Sequence, residues 1–175
     1  MELFCDRGYA DVTVADIAER AGLTKRTFFN HFTDKREVLF AAAEQFQASV
    51  IGYLDEVADG VEPIDAAMAA LTRGGVDLAS YGESAHARRA LIAASTELQE
   101  RNLTKMAALA AALSTGLHKR GAPSAITNFA AQAAVAVFAA AYDEWSDNTA
   151  VDFPGLMQKS LSHLRRAIGC EDTDR

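Results

Sequence analysis

The chain has 175 residues, half of them hydrophobic and 23% charged, enough for a folded core and too apolar for wholesale disorder. Ala fills about a fifth of all positions and Pro only three, which favours helix; Cys5 and Cys170 stand alone with no CxxC and no His at ligand spacing, which excludes a recognisable zinc site or a disulfide framework. The formal charge of −7 argues against indiscriminate nucleic-acid binding, yet Arg20–Arg36 carries five basic residues against one acid, a local +4 on a body of −11. A basic patch of that size fits one small contact with a polyanion. No basic segment followed by an apolar stretch opens the chain. The longest apolar run, Ala133–Tyr142, is about half a membrane span, so a cytoplasmic protein with no membrane partner is expected.

In chain order, a helical stub Met1–Arg7 closes at Gly8. Thr13-Val-Ala-Asp16 is a capping box that opens a helix over Val14–Ala21 with Val14, Ile17, Ala18 and Ala21 on one face. Gly22-Leu23 is a tight turn, Thr24 caps Lys25–Phe32, and Thr33-Asp34 starts a long helix running to about Ala58. Beyond Gly60 the helices lengthen and lose basic residues. They are expected at Pro63–Tyr81 (weakened at Gly74-Gly75), Glu83–Thr96, Glu97–Lys119, Pro123–Trp145 and Phe153–Ile168, with Pro63 and Pro123 in first turns. No strand pattern, phosphate loop or fixed-period repeat occurs, so the expected class is all-α. The expected division is a helix-turn-helix domain over 1–46, a larger helical domain over 47–170, and a polar tail over 171–175.

Two short helices joined by a Gly turn, the second opening on basic residues, describe a helix-turn-helix. On the second helix Phe28 and Phe32, with Leu23 before them, form a stripe for burial, while Arg26, Thr27 and Asn30 face the other way, flanked by Lys25, Phe29 and His31. Lys or Arg bonds guanine, Asn pairs with adenine and a Thr methyl touches thymine, which is what a groove-reading face needs. Lys35, in the first turn of the next helix, opposes the helix dipole, so a phosphate is the expected reason for it.

The segment from Leu3 to Ala42, with GYADVTVADIAERAGLTKRTFFNHFTDKREVLF at its heart, resembles the DNA-binding domain of TetR-family transcriptional regulators. That resemblance implies phosphate contacts from Thr13 and Lys35, base contacts from Lys25, Arg26, Thr27 and Asn30, and backbone-facing positions for Phe29 and His31. The family usually carries Tyr at the position of Phe29, so a phosphate-binding hydroxyl is missing here. The chain also starts inside the family's first helix, which normally begins further upstream behind a basic arm.

By the same resemblance, the remaining helices form a body that dimerises and encloses an effector. Phe129, Ala133, Val137 and Ala141 on the helix Pro123–Trp145, with Met157, Leu161, Leu164 and Ile168 on the last, are the expected faces of a four-helix homodimer bundle. Arg88, Phe129, Phe138, Tyr142 and Trp145 are the candidate ligand residues. The stretch ARRALIAASTELQERNLTKMAALAAAL, with FAAAYDEW, resembles a branch that includes fatty-acyl-responsive regulators, which leans the effector towards an apolar or acyl molecule.

The implied function is a dimeric repressor on a palindromic operator in double-stranded DNA, released when an effector swings the helix Asp34–Ala58. The alternative is a helical ligand- or partner-binding protein without DNA activity. No nucleophile elbow, metal triad or carboxylate pair points to an enzyme, and no cofactor is expected.

Overall fold

A computed structural model describes residues 1–79 and 85–169. Within them lie ten α-helices and no strand: α1 Glu2–Arg7, α2 Val14–Arg20, α3 Lys25–His31, α4 Lys35–Leu39, α5 Ala43–Asp55, α6 Pro63–Ala79, α7 Ala85–Ala93, α8 Thr96–Lys119, α9 Ser124–Asp147 and α10 Phe153–Ala167. The polar tail and the expected helix ends at residues 80–84 fall outside the described residues.

Side chains just ahead of the helices set their starts. Thr13 accepts a hydrogen bond from the Asp16 N–H, while the Asp16 carboxylate takes the Thr13 N–H at 2.8 Å, so the capping box forms in both directions. Thr24 accepts from the Thr27 N–H at 3.1 Å, Asp34 from the N–H groups of Arg36 and Glu37, and Asp152 from that of Gly155 at 2.9 Å. Pro123 is the N-cap of α9, one position earlier than expected.

The long helix expected over Asp34–Ala58 is two helices. α4 ends at Leu39, and the chain turns through Phe40–Ala42 by short bonds, Phe40 N–H to Glu37 O and Ala43 N–H to Phe40 O. Leu39 and Phe40, adjacent in sequence, are both buried in one core with Phe4, Tyr9, Val12 and Leu98, and the tighter turn delivers both. By contrast α6 runs unbroken through Gly74 and Gly75. A Cβ at Gly74 would meet Val50 Cγ2 at 2.7 Å, and one at Gly75 would meet Phe153 Cε1 at 2.0 Å. Close packing, not helix weakness, accounts for that glycine pair.

The chain forms two compact units. The first comprises Met1–Glu44 and Ser84–Lys105; the second comprises Gln45–Glu83 and Met106–Arg175. The first unit therefore takes in α7 and the opening turns of α8, segments that a boundary after residue 46 assigns to the larger domain. In it α2 packs on α3 and α1 on α7. In the second, α6, α9 and α10 pack together, and Leu109, Leu113 and Leu117 of α8 are fully buried. Gly116 lets α8 approach Leu54 of α5, where a Cβ would lie 2.7 Å from Leu54 Cδ2.

By length and composition α9 could cross a bilayer, with a mean hydropathy of 1.5 in its most apolar window. Ahead of the uninterrupted run Ala133–Tyr142 the same helix adds Ala125, Ile126, Phe129, Ala130 and Ala131, broken only by the uncharged Thr127, Asn128 and Gln132. Nearly half of that window is buried inside the fold, as in the core helix of a globular bundle.

Candidate nucleic-acid interface

The joint between α2 and α3 is a Schellman turn. Leu23 N–H bonds Ala18 O at 2.8 Å, Gly22 N–H bonds Glu19 O at 3.0 Å, and Gly22 sits at φ +68°, where a Cβ would be strained. This turn fixes the direction in which α3 leaves α2. The α3 anchor is Phe28, 3% exposed, with Phe32 half-buried and its ring centroid 5.3 Å away. Leu23, expected in the same seam, is 47% exposed, because the turn carries it out of the α2–α3 contact.

The opposite side of α3 presents Lys25, Arg26, Asn30 and His31 to solvent, with Thr27 half-exposed and its hydroxyl 2.9 Å from that of Thr24. Phe29 is 56% exposed, and its ring is held edge-on by Phe28 at 5.4 Å and 89°. An aromatic ring standing half out of a polar surface has an apolar contact to gain when a partner arrives.

The other basic residues of the patch are occupied within the chain. Lys35 Nζ donates to three main-chain carbonyls, Tyr9 at 2.7 Å, Val12 at 3.0 Å and Ala10 at 3.3 Å, and lies 4.3 Å from the Tyr9 ring centroid. These contacts give the cation partners within the chain, beside the phosphate expected from the sequence. Three carbonyl dipoles and a ring face offset the unfavourable helix end, tying α4 to the loop between α1 and α2.

Arg36 pairs with Asp34 and reaches Glu97 at 3.3 Å, and Arg20 pairs with Glu2. The Arg36 hydrogen bond, followed by the capping N–H groups, holds the Asp34 carboxyl below its ordinary range. The Tyr9 phenol donates to Glu97 at 3.4 Å and is pushed up to about 12, first by burial and then by the Glu97 charge. The Thr13 hydroxyl donates to Asp16, whose carboxyl is lowered chiefly by that bond. Among the described residues Lys25 and Arg26 make no ion pair, so the cationic character available to a polyanion concentrates on α3.

Residue type at 9, 34, 36 and 97 did not announce this network. Arg36 and Glu97 are 61 positions apart, and no local pattern links them.

Elsewhere the structure separates residues that the sequence grouped. Arg88 lies in the first unit, with Nε bonded to Leu39 O at 3.1 Å and the guanidinium 5.0 Å from the Phe40 ring, so it caps the end of α4. Phe138, Tyr142 and Trp145 do meet in the second unit, at 6.1 and 5.8 Å between successive rings, joined by Phe46 and Phe153. Phe129 is not with them and stands 75% exposed on α9.

Of the residues expected at a dimer face, Val137, Ala141 and Met157 are buried in the chain's own core and offer no surface. They lie on the side of α9 and α10 that faces the bundle, which helical spacing alone could not tell from the outer side. Phe129 and Ile168 (66%) are exposed, while Ala133, Leu161 and Leu164 are half-buried.

A Gly-jointed helix pair that buries one aromatic edge and turns cationic and amide groups outward is the architecture of a helix-turn-helix DNA-binding regulator. Residues 1–42 match the family described as "Bacterial regulatory proteins, tetR family", and residues 61–169, more than half of the chain, match the "MftR C-terminal domain". The chain belongs to the TetR family of bacterial transcriptional regulators.

It is 35% identical over 71 residues to the Mycobacterium tuberculosis protein named "Putative mycofactocin biosynthesis transcriptional regulator MftR", covering 41% of this chain and 36% of that protein. It is 38% identical over 60 residues to the uncharacterised regulator YwcC of Bacillus subtilis, covering 33% and 27%. To TcmR of Streptomyces glaucescens it is 35% identical over 66 residues, covering 38% and 29%. The chain thus aligns with about a third of the length of these relatives.

Proposed function

We propose that this DNA-binding regulator acts in the cytoplasm as a homodimeric repressor, holding a palindromic operator through α3 and releasing it when a small, largely apolar effector binds. An acyl chain is the favoured effector class. The observation that carries the reading is the division of α3. Phe28 and Phe32 hold it to the protein, while Lys25, Arg26, Thr27 and Asn30 remain on its outer side with donors suited to base edges.

One recognition helix reads a half-site, and two must stand about 34 Å apart to read both halves of a palindrome. What supports the dimer is the outer side of α9, where Ile126 (52% exposed) and Phe129 lie at helical spacing with small Ala133 between the next turns. What supports an apolar effector is the ring cluster of Phe46, Phe138, Tyr142, Trp145 and Phe153 in the second unit. The activity is recognition, with no bond made or broken.

For the target genes, the match to the MftR C-terminal domain favours those of mycofactocin biosynthesis, the process in that relative's name.

The test is a gel-shift titration of the full-length chain against the DNA flanking its own gene and against mycofactocin biosynthesis promoters. Sedimentation runs in parallel, and mass spectrometry examines the protein as purified. A retarded band, a dimer mass and a co-purifying acyl molecule are expected. Replacing Arg26 by Ala should weaken binding; binding by Arg26→Ala equal to wild type, or no retarded band for any duplex in wild type, would overturn the assignment to α3. A monomer that still retards DNA fully would remove the dimer.

A further inference from the structure

Binding to a polyanion draws on cations that have no partner of their own, and the first unit has few of them. Over Met1–Glu44 and Ser84–Lys105 it holds ten Lys and Arg against ten Asp and Glu, so the whole of the formal −7 belongs to the second unit. Most of the basic patch at Arg20–Arg36 is also engaged. Arg20 pairs with Glu2, Arg36 pairs with Asp34 and Glu97, and Lys35 Nζ directs its N–H bonds to the carbonyls of Tyr9, Ala10 and Val12. Of the rest, Arg7 pairs with Asp16, Arg88 donates to Leu39 O, Arg89 is engaged within the chain, and Arg101 and Lys105 of α8 both pair with Glu37. Among the described residues of this unit, only Lys25 and Arg26 keep a Lys or Arg cation without a partner.

The exposed pairs are weak enough to open. A guanidinium that leaves for a phosphate, however, abandons its carboxylate beside the same backbone, and the net neutralisation is close to zero. Neutral donors are equally scarce. The Thr13 hydroxyl donates to Asp16, and the exposed ring of Phe29 carries no donor. What α3 offers is Lys25, Arg26 and Asn30, exposed and without partners, and half-exposed Thr27 beside them. The Thr27 and Thr24 hydroxyls lie 2.9 Å apart, and Thr24 also accepts the Thr27 N–H at 3.1 Å. The Thr27 hydroxyl is therefore turned towards the start of α3, and the methyl is the group left for an outside partner. In a major groove an Arg fork, an Asn amide and a methyl read guanine, adenine and thymine, and of the three only the Arg carries a charge.

We propose that this regulator holds its operator through base edges with little help from the phosphate backbone, and that the Thr27 methyl, set against a thymine, carries part of the discrimination. Each bound subunit offers the polyanion two cations, Lys25 and Arg26. The inference rests on the DNA-binding reading of α3 above and adds how the affinity is divided. At about −0.9 per neutralised phosphate, two cations give a slope of log K against log salt no steeper than about −2 per bound subunit. Unrelated duplex, where the charge term acts almost alone, is then held weakly.

A duplex selected from a random pool by the full-length chain is the probe. Titrating it across a range of salt gives both the slope and the number of subunits bound, and a slope steeper than about −2 per subunit overturns the charge-poor mode. Glu2→Gln/Arg20→Gln removes an internal pair at constant net charge and should leave the slope within about 0.3 of wild type, whereas Lys25→Gln should make it shallower by about 0.9 per subunit. A shallower slope from the paired variant, or none from Lys25→Gln, contradicts the assignment of the cations.

The methyl is tested on the DNA, which leaves the protein untouched. Replacing the thymines of the selected duplex by deoxyuridine, one at a time, removes a methyl and nothing else. At one position wild type should bind about threefold less tightly, and Thr27→Val, which keeps a methyl there, should lose as much. Thr27→Ser, which keeps the hydroxyl for Thr24, should not respond. Tolerance of every deoxyuridine by wild type, or an equal loss in Thr27→Ser, overturns the role of Thr27. Failure to select any duplex overturns the DNA-binding reading itself, whereas a selected duplex held on a steep slope leaves that reading standing and overturns only the charge-poor mode.

Discussion

Replacing Lys35 by Met asks whether its ammonium serves DNA or the protein. Met keeps much of the aliphatic stem and removes the charge with its three hydrogen bonds, to Tyr9 O (2.7 Å), Val12 O (3.0 Å) and Ala10 O (3.3 Å). Tyr9 and Val12 are 9% and 0% exposed, so two of the three carbonyls have little access to water once the donor is gone. Each such orphan costs ~1–3 kcal/mol, and the lost ring contact adds ~0.5 kcal/mol. A destabilisation of about 3 kcal/mol follows, read as a lower urea midpoint at unchanged m.

The same variant should leave the slope of log K against log salt for DNA binding as it is in wild type, because no phosphate contact has been removed. A phosphate-binding Lys35 predicts the reverse, a slope smaller by about 0.9 per recognition helix. Stability within ~0.5 kcal/mol of wild type together with that loss of slope would refute the assignment of Lys35 to the loop carbonyls.

Other positions give equally direct outcomes. The Asp34 carboxyl is held below its unperturbed 3.8, so the stability it supplies is complete above that value and vanishes as pH falls through the lower folded value. Asp34→Asn should be less stable than wild type at neutral pH, with the gap closing as urea midpoints are followed below pH 3.8; a constant gap would contradict the ion pair. Gly75→Ala drives a Cβ to 2.0 Å from Phe153, whose ring is boxed by Phe138 and Trp145, and should lower Tm by a few degrees, about 1–2 kcal/mol after the helix-propensity gain. Gly52→Ala, in α5 with nothing within 4 Å, should raise Tm by ~0.5–1 kcal/mol equivalent, and equal signs for the two variants would show that packing is not what keeps Gly75. Phe29→Tyr adds a hydroxyl to an exposed ring and should tighten operator binding by about fivefold in anisotropy titrations; weaker binding would mean that the ring packs where no phosphate is near.

Local chemistry was legible residue by residue. Thr13, Thr24 and Asp34 can only satisfy the N–H groups a few positions ahead of them, and Gly22 supplies the one left-handed residue the turn requires, so the starts of α2, α3 and α4 and the joint between α2 and α3 could be read without coordinates. The outward face of α3 followed from the position of Phe28. Where long-range packing competes with local preference, reading failed. The turn at Phe40 answers to a core shared with Phe4 and Leu98, and Leu23 leaves the seam because of the turn it belongs to.

The sequence alone therefore determined an all-helical chain, the helix-turn-helix and the donors that face outward from it, since these depend on spacings within a turn or two of helix. Only the tertiary structure decided what Lys35, Arg36 and Arg88 hold, which apolar side of α9 is core and which is surface, and that α8 is anchored through Glu37. Those outcomes depend on groups brought together from dozens of positions apart. The energy of a charge or an apolar face is set by what finally stands beside it.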